Sequence, residues 1–174
     1  MGLQIVIDGY NLIRQSRQFG PLDLLDLQMG REALIESLAQ YKKVKAHPIK
    51  VVFDGHTAPA GMPRRERLKG IEMIYSRRGE LADTVIKRLA DQYGHNLLVV
   101  TSDSDIVHYV QSRGAATVDS AEFEARLAMA ANMTAKSSNG SDEYHGWRPT
   151  TKKKGPARRL SKRQRKMRRK ISKL

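Results

Sequence analysis

The sequence predicts an α/β domain, a parallel β-sheet buried between helices on both faces, followed by a cationic tail. Three observations predict it. Short β-branched runs alternate with segments of helical periodicity. The strongest runs are apolar throughout, as strands covered on both faces tend to be. The charge is unevenly spread: 174 residues carry 32 Lys and Arg against 18 Asp and Glu, for a formal net charge of +14, yet residues 148–174 hold 14 of the basic side chains and no acid. Taking those 14 away leaves 18 basic and 18 acidic side chains in residues 1–147.

The elements follow in order. Residues 3–7 (LQIVI) form a first strand that ends at Asp8. Leu34, Leu38 and Tyr41 recur at helical spacing in 30–45. Ile49–Phe53 (IKVVF) is a second strand ending at Asp54, and Ile71–Tyr75 (IEMIY) a third running into Ser-Arg-Arg-Gly. Between them lies a long connection, 55–70, whose Gly61, Met62 and Pro63 suit a flexible lid or substrate-positioning loop. Ala82, Val85, Ile86, Leu89, Ala90 and Tyr93 form one face of a helix over 80–93, which Gly94 ends. Leu97–Val100 (LLVV) is a fourth strand, leading into Thr-Ser-Asp. A short helix over 105–112, closed by Gly114, precedes a weaker fifth strand at 115–118. A last helix over 120–133 takes Asp119 or Ser120 as its N-cap. This organisation gives a domain over 1–133, a polar linker over 134–151, and a basic tail over 152–174 that is disordered alone or helical on RNA. Trp147, at the linker's end, docks back on the domain or stacks on a base.

Composition excludes several chemistries. Without cysteine there is no disulfide framework, Cys-based zinc site, thiol nucleophile or iron–sulfur cluster. No apolar run approaches the ~18 residues of a membrane span. The chain opens directly into a strand containing Asp8, so no secretory signal is expected and the expected location is cytoplasmic. A dense block of like charge binds a polyanion, most often nucleic acid.

Carboxylates recur where strands end: Asp8 after the first, Asp54 after the second, Asp103 and Asp105 after the fourth, with Glu80 and Asp83 opening the helix after the third. A parallel sheet brings all strand C-termini to one edge, where ligands bind at the point of reversed strand order. Clustered carboxylates repel, and one would take up a proton unless a cation relieves them. Oxygen-only ligands suit Mg2+ or Mn2+, ions that support phosphodiester hydrolysis. Helix capping is the competing role for Glu80, Asp83 and Asp105, and an Asp-Gly turn for Asp54. Asp8 and Asp103 each directly terminate an apolar strand. Other acidic α/β sites fail on spacing. A haloacid-dehalogenase-type phosphatase needs a second Asp where Tyr10 stands. A receiver domain needs a Lys where Val118-Asp119 ends the fifth strand. P-loop and GxGxxG fingerprints are absent.

Val6-Ile7-Asp8-Gly9-Tyr10-Asn11-Leu12 resembles the opening motif of the NYN domain, a branch of the PIN-like nucleases. Thr101-Ser102-Asp103-Ser104-Asp105 resembles that superfamily's S/T-x-D-x-D segment, and Glu80-Leu81-Ala82-Asp83 stands where its helix-leading acid falls. With Phe53-Asp54-Gly55 between, the order most resembles the bacterial YacP-like subgroup over about residues 3–130. The resemblance implies a PIN-like three-layer sandwich with a parallel sheet of order 3-2-1-4-5, and a divalent-metal-dependent endoribonuclease. By the same resemblance Asp8, Asp83 and Asp103 are the principal catalytic metal ligands, and Asp105 is a ligand or an outer acid. Asn11 orients Asp8 or a phosphate through its amide, and either Glu80 or Asp54 completes the pocket or the site has fewer ligands and binds a second metal weakly. Many PIN nucleases carry a further acid near the first helix, a place that neither Glu32 nor Glu36 clearly fills.

The basic residues complete the expectation. Arg14, Arg17, Arg64, Arg65, Arg67, Lys69, Arg77 and Arg78 lie in segments expected to leave the acid-bearing strand ends, giving a cationic rim around an anionic pocket. Part of that set is expected to be ordinary solvated loop. Lys42, Lys43, Lys45 and Lys50 lie toward the opposite edge. His56 and His108 sit close to Asp54 and Asp105, where surface or capping roles compete with acid chemistry. In the tail, Lys152, Lys153, Lys154, Arg158, Arg159, Arg163, Arg165, Arg168 and Arg169 would bind mRNA, rRNA or the ribosome. Its apolar stripe of Leu160, Met167, Ile171 and Leu174 is too thin for a membrane surface. No small-molecule cofactor is implied. The competing function is a non-catalytic RNA-binding or ribosome-associated protein on the same fold.

Overall fold

The computed structural model describes residues 2–58, 61, 63–138 and 162–172. Its centre is a six-stranded sheet of order β3-β4-β2-β1-β5-β6. Five strands are parallel: β1 (Gln4–Asp8), β2 (Ile49–Phe53), β4 (Ile71–Tyr75), β5 (Leu97–Val100) and β6 (Ala116–Val118). The sixth, β3 (Arg65–Leu68), is antiparallel to β4 at the edge. The sheet is therefore mixed, not the all-parallel five-stranded sheet expected. The segment expected to be a lid contains half of a β-hairpin. Its turn, Lys69-Gly70, has positive φ at both residues (52° and 79°), the geometry that matches strand twist in two-residue hairpins. Arg-Glu-Arg-Leu carries no apolar alternation, so local pattern does not mark it as a strand.

The continuously apolar strands are explained by two cores. Ile5, Ile7, Val51, Phe53, Leu98 and Val100 face one side, and Val6, Val52, Ile74, Leu97 and Val99 the other. The first side is covered by α1 (Gly9–Gln15), α3 (Leu27–Val44) and α6 (Ser120–Ser138). The second is covered by α4 (Ala82–Tyr93) and α5 (Ser104–Ser112). α2 (Gly20–Leu25) has Pro21 in its first turn, bonds back to Phe19 through Asp23 N–H, and leads into α3. The residues between the first strand and α3 carry no apolar period long enough to announce α1 and α2.

α6 continues through Ser138, past the expected start of the linker. Trp147, Lys152, Lys153, Lys154, Arg158 and Arg159 lie outside the described residues. Within the tail, α7 (Lys162–Ile171) packs Met167 and Ile171 against the first core beside β6.

Candidate functional site

β1 lies between β2 and β5, so the order of the parallel strands reverses at its carboxyl end. Asp8 is the last residue of β1 and also caps α1, accepting from Asn11 N–H at 3.4 Å. Asp103 follows β5 and caps α5, its Oδ1 accepting from Asp105 N–H at 2.8 Å and Ile106 N–H at 3.2 Å. Thr101 couples the two acids. Its hydroxyl donates to Asp8 Oδ2 at 3.2 Å and accepts from Asp103 N–H at 3.1 Å. Asp54 follows β2 and accepts from Ala82 N–H at 2.8 Å, capping a helix from a neighbouring strand end. Asp83 lies in the first turn of that helix, α4. Capping and pocket-facing roles are thus not alternatives, since a carboxylate has a second oxygen to present.

The four acids feel one another. Burial pushes the Asp8 carboxyl up to about 6, and the charges of Asp83 and Asp54 add to it against the Asn11 and Thr101 hydrogen bonds. Asp83 is raised by its own partial burial, then by Asp103 and Asp54, with Lys87 opposing. Asp8 is only 8% exposed, and among the described residues no Lys or Arg is bonded to it. Among the described residues no three Asp, Glu or His side chains stand as a ready-made metal cage. What the strand ends assemble is an anionic edge whose charge Lys87 relieves only in part.

Other expected residues are placed elsewhere. Glu80 folds back on its own turn, accepting from Arg77 N–H at 3.0 Å and pairing with Arg88, which together hold its carboxyl below the usual range. Asp105 is paired with Lys87, which lowers its carboxyl. Asn11 meets Asp8 through its backbone only. Its amide oxygen accepts from Ser102 N–H at 2.9 Å and Ser120 Oγ at 2.7 Å, tying α1 to the starts of α5 and α6. Of the basic residues, Arg17, Arg64, Arg77 and Arg78 are exposed; the Arg64 carbonyl accepts from Tyr75 N–H at the end of β4, and Arg77 and Arg78 follow that strand. Arg65, opposite Ile74, lies 3.8 Å from Glu72, while Arg14 lies over the Tyr10 ring at 5.1 Å and 4.0 Å from Asp23. Arg67 pairs with Glu72 in the register, farther down the strand. Lys69 does not join the rim: the hairpin carries it to the opposite end, where it pairs with Glu36. His56 and His108 are exposed.

Three contributors escape sequence reasoning. Lys87 is one helical turn after Asp83, a spacing that signals it only once the helix is known to border the acids. Ser76 Oγ accepts from Gly55 N–H at 2.9 Å and donates to Glu80 O at 2.6 Å, bracing the segment after Asp54. Arg31, 6% exposed, donates to Tyr10 Oη at 2.7 Å and Thr57 O at 3.0 Å, joining α3 to the segments that follow Asp8 and Asp54. Nothing local in the sequence points to Arg31.

The description YacP-like NYN domain matches residues 5–173, nearly the whole chain. The chain belongs to the YacP-like NYN domain family. Within that family it is 29% identical over 102 residues to the uncharacterized protein YacP of Bacillus subtilis strain 168, a match covering 57% of this chain and 59% of the relative. Crystal structures of Rae1 (YacP) from Bacillus subtilis share the fold. A mutant of Rae1 superposes with TM-score 0.65 and 24% identity, covering 77% of this chain and 80% of that one. Rae1 without that mutation gives TM-score 0.66 and 23% identity over 80% of each chain. As a YacP-like NYN domain the chain is a member of the PIN-like nuclease superfamily. Among its described residues no helix is long and apolar enough to cross a membrane.

Proposed function

We propose that this chain is a divalent-metal-dependent endoribonuclease that hydrolyses RNA phosphodiester bonds, with its C-terminal basic segment holding RNA or the ribosome. The observation that carries the reading is the gathering of Asp8, Asp54, Asp83 and Asp103 at the strand-order reversal, where burial and mutual repulsion raise Asp8 to about 6. Such a set needs a cation, and its all-oxygen chemistry fits Mg2+ or Mn2+. Asp8, Asp83 and Asp103 would hold the ion; bound there, it would lower the pKa of a water and stabilise the leaving oxygen. Asp54 keeps the start of α4, and with it Asp83, facing the edge. Thr101 holds Asp8 and Asp103 in one orientation relative to each other. Exposed Arg17, Arg64, Arg77 and Arg78 would position the phosphate backbone beside the acids.

The decisive experiment is cleavage of structured and single-stranded RNA with Mg2+ or Mn2+, with and without EDTA, by the wild type and Asp103→Asn. Asparagine caps a helix as well as aspartate does, so this substitution removes charge and keeps α5 capped. Cleavage should require the metal and fall by about 100-fold or more in the variant, the scale of losing one charge-stabilising group. Cleavage indifferent to both would overturn the reading. The exposed Arg64, Arg77 and Arg78 beside the end of β4 would also serve a second reading, an RNA-binding protein without catalysis. RNA binding with no cleavage under any metal would establish that one.

A further inference from the structure

Among the described residues, Lys87 is a cation set directly against the acids at the starts of α4 and α5. Asp83 and Lys87 are four residues apart on α4 and so share a face of that helix. α4 packs beside α5, whose N-cap is Asp103 and whose first turn carries Asp105. Lys87 Nζ donates to Asp105 Oδ2 across this junction. Its side chain is 26% exposed and its ammonium lies 5.7 Å from the centre of the Tyr109 ring, so it is anchored against α5. The neighbouring arginines are engaged elsewhere, Arg88 with Glu80 and Arg113 with Asp91. Asp83, Asp103 and Asp105 all act on Lys87, and His108 faces Asp105 from one turn along α5.

We infer that Lys87 is the resident cation of this site: its ammonium is paired with the Asp105 carboxylate that a second divalent ion would need, so the acids take one divalent ion rather than two. The inference rests on the metal-dependent reading above and deepens it. The physical reason is charge. Asp105 already has a monovalent partner. A second divalent ion placed between Asp103 and Asp105 would meet the ammonium at close range, where repulsion between a divalent and a monovalent cation still weakens binding by about tenfold even with the full water screening that the exposed Asp105 allows. One divalent ion held by Asp8, Asp83 and Asp103 leaves that pair undisturbed. An entering RNA phosphate would then face one metal and one ammonium.

The test is Mn2+ binding in the absence of RNA, counted by loss of the free-ion electron paramagnetic resonance signal on the full chain. The wild type and Lys87→Arg should each bind one equivalent. Lys87→Met should bind a second, or bind Mn2+ at least about tenfold more tightly in total, and adding Asp105→Asn to it should restore the wild-type isotherm. Two equivalents on the wild type, or an isotherm unchanged by Lys87→Met, would overturn the inference while leaving the metal reading intact. No Mn2+ bound by the wild type, or binding indifferent to Asp8→Asn, would remove the metal reading and the inference with it. The charge-keeping arginine variant separates an electrostatic role from a purely structural one.

Discussion

At Asp8, folding and the proposed metal site pull in opposite directions. The residue is protonated in both folded and unfolded chains well below pH 3.8. Between 3.8 and about 6 the folded chain keeps a proton that the unfolded chain has lost, so its contribution to stability falls as pH rises through that window. Above about 6 the loss is complete, on the order of 3 kcal/mol for a group moved this far. Asp8→Asn should therefore raise the melting temperature by several degrees at pH 8 in EDTA, as thermal denaturation would read. The gain should vanish by pH 4, and activity should be lost. The Thr101 hydroxyl can accept as well as donate, so it tolerates the amide. Gly55 is the companion case. A Cβ there would lie 2.0 Å from the Ser76 carbonyl oxygen, a backbone atom that cannot move without disturbing the end of β4. Gly55→Ala should destabilise by about 1–3 kcal/mol in urea denaturation, the range for overpacking, and shift Asp54.

At the scale of elements, the site is an arrangement of caps. Asp8 and Asp103 cap the helices that follow their own strands, and Asp54 caps one that begins beyond β4. The latter needs it, because the N-cap of α4, Leu81, has no side chain able to accept. Asp54→Ala should cost about 1 kcal/mol of stability and Asp54→Asn much less, which chemical denaturation would resolve. A similar loss of activity in both variants would place the Asp54 charge, not the cap, in the reaction. The β3–β4 hairpin has an opposite effect at its two ends. It brings Arg64 and Arg65 to the carboxyl edge and sends Lys69 away from it.

For the whole molecule, the question is what the basic segment contributes. α7 is not only charge, since Met167 and Ile171 extend the first core and Lys166, Met167 and Lys170 border a cavity of about 60 Å³ with Gln111, Gly114, Ala115 and Ala116. That contact is at the amino end of β6, opposite the acids. Removing residues 162–174 should therefore lower both melting temperature and RNA affinity. Replacing Arg165, Arg168 and Arg169 by Gln should leave the melting temperature within about 1 °C while reducing the slope of log affinity against log salt by about 2 to 3. Cleavage of a short oligomer should persist in the triple variant. Equal loss of binding and chemistry would make α7 part of the active site.

The alternation of apolar strands and helices, the acids at strand ends and the DGYN and TSDSD segments were all legible in the sequence, because each is a local pattern with a local cause. The same is true of the net charge of +14, which residues 148–174 carry. β3 was not legible, because an edge strand rich in arginine owes its form to β4 beside it rather than to its own residues. Nor were the roles of Glu80, Asp105, Asn11, Lys69, Lys87, Thr101 and Arg31. Each depends on a partner distant in the chain or on a side chain's direction, and composition carries neither. The sequence by itself determined that carboxylates stand where the strands end. Only the tertiary structure decided which remain there unrelieved, because burial and the positions of neighbouring charges are properties of the folded chain.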